Sequence, residues 1–393
     1  MVLDFIYIPL FIFLALRFPL LLLEEWELTF LPTLRKLAFF HFFLGIAYYF
    51  TIITSGGDAM RYWNVARMMD ATIFFKNISA GEGTAFMEAL NYIPANVMGM
   101  SFLSNTMFYS LLGYMGITYF FLITCRTVPY NKIINGYVLF PLIFFLPNLH
   151  FWSSGVGKDT VLFLCIGMFV YSLMDPFKRI PLIVIAVLLS MAIRPHITLF
   201  LMVGFGLDYI FGGKVSPTQR FIFSAAMIGV GLTILPSVME FAKIEEASAE
   251  GFDKFAQGKA AVLSRSSTGS AIDISSYPFP LKVLTFWFRP ALFDVKNING
   301  LIAALENLLL LIVFVKAMRT KPVAAFKAAP FVIKGLVLFL IVGTLAFSQS
   351  LGNMGIMIRM RNMFLPGMII YLMWIFSYEQ QILRSRRNMF KKK

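Results

Sequence analysis

Residues 148–160 read NLHFWSSGVGKDT, flanked by LFPLIFFLP at 139–147 and VLFLCIGMFVYSLM at 161–174. The flanks have the composition of membrane spans, yet the middle carries His150, Trp152, Ser153, Ser154, Lys158 and Asp159. Polar groups in lipid cost free energy unless they are paired or reach water. Such an island is therefore a water-facing loop or the rim of a site. It is expected on the non-cytoplasmic side, together with most of the other unusual polar residues.

Composition supports the membrane reading. The 393 residues are 59% hydrophobic and 14% charged, against about 25% charged in a soluble domain. The mean hydropathy is +0.77. No soluble core needs this much apolar surface. Lys and Arg number 34 against 20 Asp and Glu, a net +14. These basic residues are scattered between apolar runs, which points to cytoplasmic anchoring and away from nucleic acid. Cys125 and Cys165 are the two cysteines, both in apolar runs, so neither a disulfide framework nor thiolate metal ligation is expected. The start, MVLDFIYIPLFIFL, lacks a basic leader and a small-residue cleavage pattern, and reads as a retained first helix.

The fold class is all-α: a polytopic integral membrane protein, one domain over 1–393, with about eleven transmembrane helices. They are placed at 4–23, 37–54, 107–125, 133–147, 160–174, 180–193, 197–212, 221–238, 300–317, 328–347 and 363–378. The pair around Arg194-Pro195-His196 is short and reads as two helices meeting at a break. The basic tail RSRRNMFKKK is expected in the cytoplasm, with the connections at 24–36, 126–132, 175–179, 214–220 and 316–327. Segments 55–106, 148–159, 194–196, 239–299 and 349–362 then fall outside. In 239–299, Phe241, Ile244, Phe252 and Phe255 share a helical face, giving an amphipathic interfacial helix. LKVLTFWFRPALF at 281–293 reads as a helix returning to the membrane surface.

The candidates for chemistry are the ionic and aromatic residues of those outer segments. In SGGDAMRYW, 55–63, two glycines allow a turn, and Asp58 and Arg61 share a face of the helix that follows. Asp58 as a plain N-cap, with a solvated Arg61 and interfacial Tyr62 and Trp63, is the bland alternative. His150, Lys158 and Asp159 are suited to a phosphate-bearing substrate; equally, Lys158 snorkels and Asp159 caps a helix. Arg194 ends a long apolar run, where an unpaired charge costs about 2.5–3.5 kcal/mol, so it needs a partner or a cavity. Arg289-Pro290 repeats the Arg-Pro dipeptide. Arg359 and Arg361 are two apart, so one of them is expected to point inward. Glu306 lies inside an expected span beside Asn307. Together these residues are expected to line one outer cavity whose guanidiniums match pyrophosphate oxygens. No P-loop, HExxH, GxSxG or dinucleotide fingerprint is present, and Gly81-Glu82-Gly83 is too short to carry a reading.

GGDxxRY at 56–62, FWSSxxxKD at 151–159, RPH at 194–196 and GNxGxxIRxR at 352–361 together resemble the bacterial exopolysaccharide and O-antigen repeat-unit polymerases. These are the Wzy- and EpsG-like proteins, related in architecture to GT-C membrane glycosyltransferases. The large outer loop of the O-antigen members has no clear counterpart. The resemblance implies transfer of a glycan from undecaprenyl diphosphate to a sugar hydroxyl of a second lipid-linked glycan. It puts Asp58 at the acidic residue of the first outer loop, and Arg194 with Arg289 or Arg359 around the diphosphate. Asp58 is then the expected base, with His196 and Glu306 behind it. Arg61, Tyr62, His150, Lys158, Asp159, Arg194, Arg289, Arg359 and Arg361 are the expected substrate-binding set. No cofactor is expected, although a divalent cation is compatible. Expected partners are the polyprenyl-diphosphate-linked oligosaccharide, membrane lipid and a chain-length regulator, with no nucleic acid. The expected location is the bacterial cytoplasmic membrane, active site outward. A transferase using polyprenyl-phosphate donors shares the layout. A transporter or export component instead needs polar residues through the full depth of the bilayer.

Overall fold

The computed structural model describes residues 3–134, 137–212, 249–264 and 270–391, and isolated positions between 218 and 232. The described chain is helical, apart from a two-residue antiparallel ladder in which Ile133 pairs with Val138 and Ile134 with Tyr137. Among the described residues, five helices are long and apolar enough to cross a membrane: Asp4–Leu21, Glu25–Ser55, Phe102–Thr127, Ile298–Met318 and Phe331–Ser350. The number rises to seven if two bent pairs each count as one span. One pair is Pro147–Ser154 with Lys158–Ser172, bent by 111°, and the other is Met354–Arg361 with Leu365–Ser385, bent by 62°. Ile180–Ile193, Pro195–Gly206 and Phe279–Phe288 are shorter apolar helices.

Against the eleven expected spans the described residues give five to seven, and two segments depart outright. Residues 133–147 form no span. They hold the ladder, a four-residue turn at Leu139–Leu142 and a 3-10 turn at Ile143–Phe145. Pro141 and the Asn-Gly dipeptide at 135–136 outweigh the apolar count, because proline breaks the helical ladder. Residues 148–160 are also not an open loop. Pro147–Ser154 is a helix whose His150, Ser153 and Ser154 are wholly buried. The expected helix at 221–238 lies largely outside the described residues, as do Phe241, Ile244 and the side chains of Phe252 and Phe255. The segment 239–299 also includes a helix at Ala249–Ser264.

The chain divides into two compact units, Met1–Cys125 with Phe144–Arg194, and Arg126–Ile143 with Pro195–Lys393. In the first unit the Phe102–Thr127 helix is the centre, with 78% of its apolar window buried. It runs antiparallel to Leu31–Ser55: Tyr114 O–H donates to the Leu34 carbonyl at 2.8 Å, and the rings of Tyr49 and Phe102 meet at 5.7 Å. Ser110 Oγ donates to the Ser154 carbonyl at 2.8 Å. Gly113 allows that approach, since a Cβ there would lie 1.7 Å from the Ser153 carbonyl oxygen. Small residues and hydroxyls knit helices in this way where water is absent. The outer faces of the unit stay apolar and exposed, as at Phe5 and Phe43, which suits lipid contact.

The second unit is built on Pro195–Gly212 against Phe331–Ser350. A Cβ on Gly204 would lie 2.7 Å from the Phe339 backbone nitrogen, so these two helices touch backbone to backbone. Trp287 Nε1 donates to Thr344 Oγ1 at 3.0 Å and ties Phe279–Phe288 to the same core. Ile272 N–H donates to Gly352 O and Met354 N–H to Ser270 O, at 3.0 and 2.9 Å.

Candidate functional site

The candidates fall into two sets, one inside each unit. The first set gathers on the seven-residue helix Thr84–Leu90. Lys158 Nζ donates to Thr84 Oγ1 at 3.0 Å. Arg61 Nε lies 3.5 Å from Glu88 Oε1. Thr84 and Glu88 are four apart, so they share one face of that helix. Asp159, next to Lys158, receives Arg194 Nη1 at 2.8 Å. Gly83 N–H closes the group by donating to the Ala192 carbonyl at 2.8 Å.

Burial separates the members. Arg194 and Asp159 have side chains 8% and 7% exposed, whereas Arg61 is 66% exposed. The Arg194–Asp159 pair satisfies two charges that would otherwise be costly at depth. Lys158 is half-buried at the start of Lys158–Ser172, with Gly157, not Asp159, as the capping residue. Asp58 is exposed in the first turn of Asp58–Met68, and its cap is Gly57. Gly56 and Gly57 have φ of 74° and 138°, conformations that L side chains resist. Tyr62, next to Arg61, is buried. Beside this helix lies an open cleft of about 540 Å3 whose walls include Trp63, Arg67, Asn96 and Ser101.

His150 sits apart from that set. Its Nε2 meets the Phe144 carbonyl at 2.7 Å and its Nδ1 meets His41 Nδ1 at 2.9 Å. A carbonyl only accepts, so His150 carries its proton on Nε2. His41 must then donate from Nδ1. Both nitrogens of His150 are engaged within the protein.

The second set centres on Arg361, which is 1% exposed. Its Nη1 donates to the carbonyls of Trp287 (2.5 Å) and Arg289 (3.3 Å), and its Nη2 to Asn307 Oδ1. Asn307 Nδ2 donates in turn to the Pro290 carbonyl at 2.8 Å. Glu306, beside Asn307 on the same helix, is buried. Arg289 grips Asp294 through Nε at 2.9 Å and through Nη2. That pairing holds the Asp294 carboxyl below its ordinary range and raises Arg289. Arg359 is half-buried. His196 is half-buried too, with its ring 5.9 Å from Phe200 and 6.0 Å from Phe347.

Thr84, Glu88 and Asp294 are members that the sequence does not single out, and Asn307 is noted there only as a neighbour of Glu306. Glu88 has a visible signal: it is an acid inside the apolar run AFMEAL, four residues after Thr84. Asn307 has one in standing beside Glu306 within a span. Comparisons with protein families, with curated proteins and with solved structures return no match.

Proposed function

We propose that the chain is a membrane glycosyltransferase that polymerises lipid-linked oligosaccharide units, moving glycan from a polyprenyl diphosphate to a sugar hydroxyl. The observation that carries this reading is the meeting of two motif segments at one short helix, with the third joined to them through Asp159. Arg61 of GGDxxRY reaches Glu88, Lys158 of FWSSxxxKD reaches Thr84, and Arg194 of RPH reaches Asp159. Asp58 is exposed on the same helix face as Arg61 and is suited to accept a proton from an acceptor hydroxyl. The leaving diphosphate is stabilised by cations aimed at its developing charge. The neighbouring cleft, with Trp63 in its wall, has room for a sugar ring.

A second reading rests on a specific feature of the first set. Arg194 is buried and committed to Asp159, which leaves Arg61 and Lys158 as the cations within reach of solvent. Two cations suit one phosphate, so a polyprenyl-phosphate sugar is the alternative donor. In both readings the outer face of a bacterial cytoplasmic membrane is the proposed place of work. The test is to give the purified chain each donor with a glycan acceptor. Product from the diphosphate donor, lost in Asp58→Asn and in Lys158→Ala at normal protein levels, supports polymerisation. Product from the monophosphate donor alone selects the second reading. Lipid-linked glycan moved across sealed vesicles without lengthening removes both.

A further inference from the structure

The Ile298–Met318 helix is followed at once by Arg319, Thr320 and Lys321, and then by Pro322–Ala328. A cleft of about 270 Å3 lies between this turn and the Leu365–Lys391 helix. Ile375, Tyr378, Glu379 and Ile382 form its far wall, at the i, i+3, i+4, i+7 spacing of one helical face. The two walls are fixed to each other. Tyr371 O–H donates to the Pro322 carbonyl at 2.9 Å, and Trp374 Nε1 donates to the Ala325 carbonyl at 2.8 Å.

The charge in this cleft is unbalanced. Arg319 and Lys321 are exposed, and among the described residues neither is ion-paired with an acid. The acid of the lining, Glu379, is already engaged by Lys132 Nζ at 3.1 Å. Depth matters as well. Ile298–Met318 is long and apolar enough to cross a membrane, so a turn that begins with the next residue lies at the membrane surface. The lining is therefore amphiphilic, with two cations and a phenol at the rim and aliphatic Ile375 and Ile382 along the helix.

We propose that this cleft binds the phosphate of an anionic membrane lipid. Arg319 and Lys321 hold the phosphate oxygens, and the acyl chain lies along half-buried Ile382 and exposed Leu383. Arginine offers a fork matched to phosphate, and lysine adds a point charge. Basic pockets between transmembrane helices bind anionic headgroups by this chemistry. The cleft, of about 270 Å3, is on the scale of a phosphate headgroup. This site does not depend on the transferase reading, and its test involves no sugar donor.

The experiment uses the full chain in nanodiscs of phosphatidylcholine doped with either phosphatidylglycerol or further phosphatidylcholine, with retained lipid counted after extraction into detergent. The wild type is expected to retain phosphatidylglycerol selectively. The Arg319→Ala, Lys321→Ala double variant is expected to lose that retention by roughly thirtyfold, from two surface cations. The charge-conserving Arg319→Lys, Lys321→Arg variant should restore most of it, which separates charge from folding. Equal retention by wild type and double alanine variant overturns the site. So does equal retention of phosphatidylcholine. Displacement of the lipid by millimolar inorganic phosphate also overturns the lipid assignment, because it makes a soluble phosphate the ligand.

Discussion

Arg61 and Arg194 are both ion-paired arginines, yet their surroundings give them opposite roles. The Arg61–Glu88 pair is long, at 3.5 Å, and open on the arginine side. Such pairs contribute about 0–1 kcal/mol, so Arg61→Ala should leave thermal stability in detergent nearly unchanged. The Arg194–Asp159 pair is short and enclosed. Removing one member strands the other charge, at about 3–5 kcal/mol. Arg194→Ala and Asp159→Asn should therefore both lower the melting temperature markedly and reduce the amount of folded protein. If Arg194→Ala melts like the wild type, the pair is not a structural clamp. Activity separates differently. Asp58 is exposed, so Asp58→Asn should keep stability while slowing transfer by about 10²–10⁴-fold, the range of a lost general base. A turnover assay at matched protein levels checks it. The cost of a charge at Arg194 is legible in the sequence, but its answer is not, because Asp159 lies 35 residues earlier and no local spacing links them.

At the scale of elements, packing separates glycines that composition treats alike. Gly113 faces the Ser153 carbonyl where the Phe102–Thr127 and Pro147–Ser154 helices touch. Gly113→Ala must push backbone apart, at about 1–3 kcal/mol. At Gly258, in Ala249–Ser264, an added methyl would meet nothing within 4 Å. There alanine should instead stabilise the helix by up to about 1 kcal/mol. Opposite shifts in melting temperature check the pair of substitutions. The turn at 289–294 offers a pH readout. Asp294 is held down by the Arg289 hydrogen bond and also accepts from Ala291 N–H at 2.8 Å. A depressed carboxyl adds stability above its unfolded value, about 3.9, and loses it as pH falls through the lower folded value. Protection from hydrogen exchange across 289–294, relative to the intrinsic rate at each pH, should stay high at neutral pH and fall only in stronger acid than an ordinary carboxylate needs. Asp294→Asn should remove that protection at neutral pH and match the wild type once the carboxyl is protonated. Helix positions are legible where apolar length is unbroken: 180–193 is expected and Ile180–Ile193 is found. The count fails at 133–147 because apolar content says nothing of where Pro141 sits. It also misses that His150 is a buried member of a helix, since the His41 that faces it is 109 residues away.

For the whole molecule the open quantity is orientation, and one residue discriminates. The basic tail is expected in the cytoplasm, and that places Lys327 inside with it. The N-terminal half does not inherit this by counting, since the loss of a span at 133–147 changes the parity. Local charge supplies an independent argument. Leu31–Ser55 and Phe102–Thr127 are antiparallel, with Leu34 beside Tyr114. The end of one that carries Arg35 and Lys36 thus lies on the same side as the end of the other that carries Arg126. Positive residues favour the cytoplasm, so that side is expected inside and residues 56–101 outside. A single cysteine at the exposed Asn64, in a chain lacking Cys125 and Cys165, should react with an impermeant thiol reagent in intact cells. A cysteine at Lys327 should react only after permeabilisation. Protection of Asn64→Cys until permeabilisation would put Asp58, Arg61 and Lys158 in the cytoplasm and remove any transfer on the outer face, whatever the motifs resemble.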